Sequence, residues 1–153
     1  MKELFKDKNS MKSIMELERE IVEAFDRFAR VDEKYAYLFQ LGNELPEMSV
    51  DLKNQTNLVE GCQSKLWFSL IEESGRFSLS ADSDSMVIKG IAALLVRIVE
   101  DRTAEEISQI SMDFIDQLNI WKLPSERNNG LVAMLDHLHQ QAREYTGISK
   151  IAR

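Results

Sequence analysis

An α+β fold is predicted, built from a small three-stranded antiparallel meander with helices packed on one face. Three observations predict it. Apolar residues recur at helical spacing at both ends of the chain, while between Leu58 and Ser80 a stretch rich in aromatic and branched residues is followed by one that alternates apolar with polar. Only two prolines and six glycines interrupt the 153 residues, a composition ordinary for a largely helical globular protein. Strands grouped between runs of helices, instead of alternating with them, argue against an α/β sheet.

From Met11 to Val31, Ile14, Leu17, Ile21, Val22, Phe25 and Phe28 fall at spacings of three and four among charged residues, which predicts an amphipathic helix. Asp32 is expected to cap a second helix over Glu33–Asn43, with Tyr35, Leu38, Phe39 and Leu41 buried, Gly42 near its end and Leu45-Pro46 as its stop. Residues 47–57 show no sustained period and read as a loop. Leu66–Ile71 and Phe77–Ser80 then form a hairpin about Ser74-Gly75, and Leu58–Glu60 is expected to add the third strand.

Asp82-Ser83-Asp84-Ser85 precedes a densely apolar helix over Met86–Asp101. Thr103-Ala104-Glu105-Glu106 matches a capping box, so a short helix starts there, followed by another around Met112–Leu118. Pro124-Ser125-Glu126 opens the last helix, with Leu131, Met134, Leu135, Leu138, Ala142 and Tyr145 buried and Gly147 as its end. Residues 1–10 are expected as a flexible leader and residues 11–153 as a single domain, since a chain of this size buries about 68–70% of its unfolded surface.

Nineteen basic against 26 acidic residues leave a net charge of −7 and a pI of about 4.9. That balance argues against a general nucleic-acid binder and favours a partner with a basic patch. No apolar run reaches the length of a membrane span, and the opening residues lack a secretory pattern. A single cysteine excludes an internal disulfide framework and multi-cysteine zinc or iron–sulfur sites, which fits a reducing cytoplasm.

Most other constellations have structural readings. His137 and His139 are two apart on one helix, cannot share a metal as an i, i+4 pair does, and are expected at the surface. Asp82 and Asp84 lack the glycine and glutamate of a calcium loop and read as helix caps. Glu72-Glu73 and Glu105-Glu106 read as solvated charges, the methionines as core filler, and Trp67 as packed. Trp121 reads as packed or as exposed for a partner. No glycine-rich phosphate loop is present, and Phe68 stands where a phosphatase-type cysteine loop needs arginine.

The remaining candidate is Cys62, carried by Val59-Glu60-Gly61-Cys62-Gln63-Ser64-Lys65-Leu66-Trp67-Phe68. On residue type alone a lone cysteine is a small buried hydrophobe. However, Gly61-Cys62-Gln63-Ser64-Lys65-Leu66-Trp67 resembles the signature of the SufE family, sulfur acceptors that work with cysteine desulfurases. Further blocks agree in order: Lys34-Tyr35-x-Tyr37-Leu38 with Leu41-Gly42 and Leu45-Pro46, Asp82-Ser83-Asp84 with Ile88–Leu94, and Arg127-x-x-Gly130-Leu131-x-Ala133-Met134. The resemblance runs from about Ile14 to Tyr145. Departures from the family pattern are Trp121, Glu126 and the shifted Pro124.

The resemblance implies a SufE/NifU-like fold and a Cys62 that takes persulfide sulfur from a pyridoxal-phosphate-dependent cysteine desulfurase, stimulates it, and delivers sulfur to an iron–sulfur scaffold. It implies no cofactor or metal of the chain's own. Gly61, Gln63 and Ser64 would form the sulfur loop, and Asp84, Lys89 and Arg127 would lie near it or at the docking surface. Cys62 is expected to rest against Leu66, Ile91 and Leu94 and to swing out on docking. The alternatives are an adaptor that activates the desulfurase without carrying sulfur, and a paralogue serving RNA modification. A cluster scaffold would need more than one thiol. The sequence allows a homodimer.

Overall fold

The computed structural model describes residues 12–60, 64–120 and 131–152, and side chains only as far as residue 145 in the last segment. The expected leader at residues 1–10 lies outside the described residues. Helix α1 spans Ile14–Asp26 and buries Leu17, Ile21 and Phe25, with the Ser13 hydroxyl accepting the Glu16 amide. Helix α2 spans Val31–Asn43 and starts earlier than expected. Asp32 is therefore inside the helix and pairs with the Arg30 guanidinium at 2.9 Å. Its expected capping role passes to the Arg30 amide, which donates to the Glu33 carboxylate at 3.1 Å.

After a single 3₁₀ turn at Val50–Leu52, strands β1 (Leu66–Glu73) and β2 (Arg76–Ser83) form an antiparallel hairpin. Ser74 and Gly75 both take positive φ, 55° and 80°, as a tight two-residue turn between right-twisted strands demands. Leu66, Phe68 and Leu70 share the buried face with Phe77, Leu79 and Ala81, while Trp67 stands directly across from Asp82 on the other. Helix α3 (Met86–Val99) packs on β2 and against α2. Short helices α4 (Ala104–Ser108) and α5 (Asp113–Asp116) follow, and α6 (Leu131–Ala152) packs on α4 and β1. The expected capping box is present: Thr103 Oγ1 accepts the Glu106 amide at 3.2 Å and the Thr103 amide reaches Glu106 at 3.1 Å.

The expected third strand does not form. Leu58 makes one antiparallel bridge to Trp67, through the Val59 amide on the Leu66 carbonyl at 2.8 Å and the Phe68 amide on the Asn57 carbonyl at 2.9 Å. Two local bonds curl the chain just before it. The Asn57 amide donates to Asn54 Oδ1 and the Leu58 amide to the Asn54 carbonyl. Among the described residues before β1, Leu58 alone bridges to it, and side chains of α6 take that edge as far as the Leu70 carbonyl. Gln141 Oε1 accepts the Leu70 amide at 3.2 Å, Gln141 Nε2 donates to the Phe68 carbonyl at 3.0 Å, and the Tyr145 hydroxyl donates to the Leu70 carbonyl at 3.2 Å. From the Leu66 carbonyl to the Leu70 carbonyl, each backbone group on that edge has a partner. The far edge of β2 is closed at Phe77, whose amide and carbonyl pair with Arg102 and Asp101 at 2.8 Å.

Two other expectations are corrected. The backbone of α6 continues through Gly147 to Ala152, because one glycine costs only about 1 kcal/mol in a helix and does not by itself end it. The expected opening of that helix at Pro124-Ser125-Glu126 lies outside the described residues. Where α2 crosses α3, Gly42 meets Gly90. A Cβ on Gly90 would lie 2.5 Å from both Leu38 Cγ and the Leu38 carbonyl oxygen.

Because Gln141 stands in for a strand, its loss has a definite cost. Gln141→Leu leaves the Leu70 amide and the Phe68 carbonyl without those partners. It is expected to lower unfolding free energy by about 2–3 kcal/mol, measured by urea denaturation. A loss below about 0.5 kcal/mol would mean water replaces the amide.

Candidate functional site

In the sequence Cys62 stands between Glu60 and Ser64, the nearest described residues on either side. Gly61, Cys62 and Gln63 themselves lie outside the described residues, as do Trp121, Glu126 and Arg127. The structure describes the frame around the segment. Its entry is fixed by the Val59–Leu66 and Asn57–Phe68 backbone bonds. At its exit Ser64 is half-buried and Lys65 is gripped three times. Asp84 Oδ1 accepts the Lys65 amide at 2.9 Å, the Ser83 hydroxyl donates to the Lys65 carbonyl at 2.7 Å, and the Asp84 amide donates to it at 3.1 Å.

Asp82 and Asp84 were expected as helix caps, and neither is one. Strand β2 runs on through Ser83, and the cap of α3 is Ser85, whose hydroxyl accepts the Ile88 amide at 3.3 Å. Asp84 is thereby free to clamp Lys65. Asp82 sits between two cations, 2.6 Å from Lys53 and 3.3 Å from Lys89. The Lys53 ammonium also lies 5.6 Å from the centre of the Trp67 ring. The half-buried Trp67, Asp82 and Lys53 thus fasten the loop after the 3₁₀ turn across the outer face of the hairpin, beside the frame.

Burial alone would raise the Asp82 carboxyl, but the Lys53 hydrogen bond, the Ser83 amide and Lys89 outweigh it and hold it below the usual carboxylate range. A group whose folded pKa is depressed contributes stability above its unfolded value, about 3.9, and that stability is lost as pH falls through the folded value. The stability gap between the native chain and Asp82→Asn is expected to be largest near neutral pH and to shrink below about pH 4. Thermal melts across that range check it, and a gap unchanged in acid would contradict it.

The other wall beside the frame is α6. A groove of about 560 Å³ runs between residues 55–60 and this helix, with Leu58 and Glu60 on one side and Val132, Asp136 and His137 on the other. His137 is half-buried, not at the surface as expected. Its ring packs edge-on to Phe68 with centroids 6.5 Å apart, and its Nε2 lies 3.1 Å from Gln141 Nε2. Burial holds its pKa below the ordinary histidine value against the opposing pull of the Phe68 carbonyl, Glu144 and Glu60, so the ring is neutral near pH 7. His139 is also half-buried, with Nε2 2.9 Å from the Ile110 carbonyl.

The apolar residues expected to shelter the thiol, Leu66, Ile91 and Leu94, are all buried. Reading by motif missed Gln141, His137 and Glu60. It also missed the burial of Lys34, whose ammonium lies 2.8 Å from the Leu118 carbonyl, beside Tyr35, whose hydroxyl donates to the Ile120 carbonyl at 2.7 Å. The one usable signal was a glutamine one turn before Tyr145 at the edge of the apolar stripe. Among the described residues no helix is long and apolar enough to cross a membrane.

The α+β fold thus holds the chain by backbone hydrogen bonds on both sides of residues 60–64, just before β1. Residues 19–142 match the SufE model, described as an Fe-S metabolism associated domain, and the chain belongs to this family. It is 36% identical over 126 residues to SufE-like protein 1, chloroplastic/mitochondrial, of Arabidopsis thaliana; the match covers 81% of this chain but only 34% of that protein. A hypothetical protein from Thermus thermophilus, solved in solution, superposes with a TM-score of 0.68 at 20% identity, covering 84% of this chain and 94% of that one. At that identity the likeness speaks for the fold alone.

Proposed function

We propose that the chain is a sulfur acceptor, taking sulfur from the persulfide of a pyridoxal-phosphate-dependent cysteine desulfurase onto Cys62, stimulating the desulfurase and delivering the sulfur for iron–sulfur cluster assembly. The observation that carries this reading is the only cysteine of a SufE-family chain standing in sequence between two backbone positions held by hydrogen bonds, Val59 and Lys65. The cofactor belongs to the donor, and a reducing compartment, the cytoplasm in the sequence reading, suits a free thiol.

The step is a thiol–disulfide-type exchange. The Cys62 thiol gives its proton to a base or to water, and the thiolate attacks the outer sulfur of the donor persulfide. The donor's S–S bond breaks as that of Cys62 forms, and the donor cysteine leaves as a thiolate. No net oxidation occurs. A free cysteine has a pKa of about 8.5, so only a few per cent is thiolate at neutral pH, and docking has to supply the rest of the activation.

A solitary thiol suits a carrier, since a neighbouring cysteine would release the sulfur by forming a disulfide. Ser64 belongs to the loop with Gly61 and Gln63. Asp84 and Lys89, expected near the loop or its docking surface, also hold the loop's frame directly or through Asp82, so docking and loop position are coupled. Arg127 is assigned to the same surface. Mass spectrometry of the full chain after incubation with desulfurase and cysteine tests the reading. A gain of one sulfur on Cys62 is expected, and stimulation of the desulfurase without that gain would favour a non-carrying adaptor.

A further inference from the structure

We infer that the groove between residues 55–60 and α6 is the seat of a short lysine- or arginine-bearing segment of the sulfur donor. The inference rests on the acceptor reading and adds where, and by what chemistry, the donor is held. The α6 side of the groove extends from Val132 to Gln140, about 12 Å of helix. That length matches three or four residues of extended chain. Its charged lining is one-signed. Glu60 and Asp136 face it with the neutral ring of His137, and no lysine or arginine lines it among the described residues. Glu144 adds its field further along the helix.

Apolar surface is on offer too, since Val132 is 61% exposed and Leu58 is half-buried. A wholly apolar occupant would strip water from two carboxylates without pairing them, which is costly. Nucleic acid and a second copy of this chain, with its net charge of −7, both bring like charge. A basic side chain meets both demands, because its aliphatic stem covers Val132 and Leu58 while its head pairs with Glu60 or Asp136. Glu60 precedes Cys62 by two residues, so a segment held there is held next to the sulfur loop in the chain.

The test is calorimetric titration of the purified cysteine desulfurase of the same cell with the full chain, using the native protein, Asp136→Asn, Asp136→Lys and Glu23→Gln. Glu23 is exposed on α1, and its variant removes the same charge away from the groove. Asp136→Asn is expected to weaken binding about three- to tenfold and Asp136→Lys more, with Glu23→Gln unchanged and the differences fading at high salt. Equal weakening by Asp136→Asn and Glu23→Gln, no weakening by either Asp136 variant, or no binding by the native chain would overturn the inference. Persulfide formation on Cys62 is read separately. Sulfur gain with Asp136 variants that bind as the native chain does sinks the groove and keeps the acceptor role. Groove-dependent binding without sulfur gain does the reverse.

Discussion

Cys62→Ser is expected to fold as the native chain does, to bind the desulfurase, and to take up no sulfur, so that the rate of cysteine desulfuration falls to that of the desulfurase alone. A serine hydroxyl is not ionised at neutral pH and cannot form a persulfide, so the loss should be complete instead of graded. The backbone positions that pin the loop, Val59, Leu66, Lys65 and Asp84, do not depend on the thiol. Circular dichroism and the thermal midpoint should therefore stay close to native values. Sustained stimulation by the serine variant would refute the carrier role and leave the chain an allosteric adaptor.

Gly90→Ala is expected to be the most damaging single methyl group in the helical layer. Helix propensity alone would favour alanine by about 1 kcal/mol. Against this, the new Cβ would sit 2.5 Å from the Leu38 carbonyl oxygen and from Leu38 Cγ, and Leu38 is fully buried. A carbonyl cannot rotate away as a side-chain end can, so α2 has to shift off α3. Overpacking of this kind costs about 1–3 kcal/mol and sometimes more. A net loss of about 2–3 kcal/mol lowers the melting temperature by roughly 5–10 °C in a chain of this size. At Gly42 the closest approach would be 3.1 Å, so Gly42→Ala should cost less. Lys89 adjoins Gly90 and reaches Asp82, so the shift should also loosen the sulfur-loop frame and slow transfer. A melting temperature at or above the native value would show that the crossing adjusts freely.

What the sequence made legible follows the range over which each interaction acts. The Thr103–Glu106 box, the Ser74-Gly75 turn and the apolar stripes of α3 and α6 are encoded within a few residues and stand where they were expected, whereas α1 ends at Asp26 and leaves Phe28 of its expected stripe outside the helix. The third strand failed because its fate depends on Gln141, which lies 71 positions from the Leu70 amide it occupies. No local pattern says that a glutamine on a helix will serve as a strand. Asp82 and Asp84 went astray for a related reason. Both precede an apolar helix and so look like caps, but β2 runs three residues beyond Ser80, and Ser85 takes the cap instead. The cysteine is singled out by its motif alone, since Cys62 itself lies outside the described residues. The groove was not legible, since Glu60 and His137 are brought to it only by the packing of α6 beside the bridge at Leu58.

The side-chain closure of the hairpin bears on how the protein avoids aggregation. A two-stranded sheet with open edges is a template on which other extended chains can add, the first step towards amorphous aggregates and fibres. Here Gln141 and Tyr145 occupy one edge beyond the short bridge at Leu58, and Asp101 and Arg102 close the other at Phe77. The hairpin therefore offers little purchase for strand addition. Removing Gln141 would do more than loosen a helix: it would expose Phe68 and Leu70, the most apolar part of β1, to recruitment by neighbouring molecules. Side chains of a helix thus do for this hairpin what neighbouring strands do in a larger sheet.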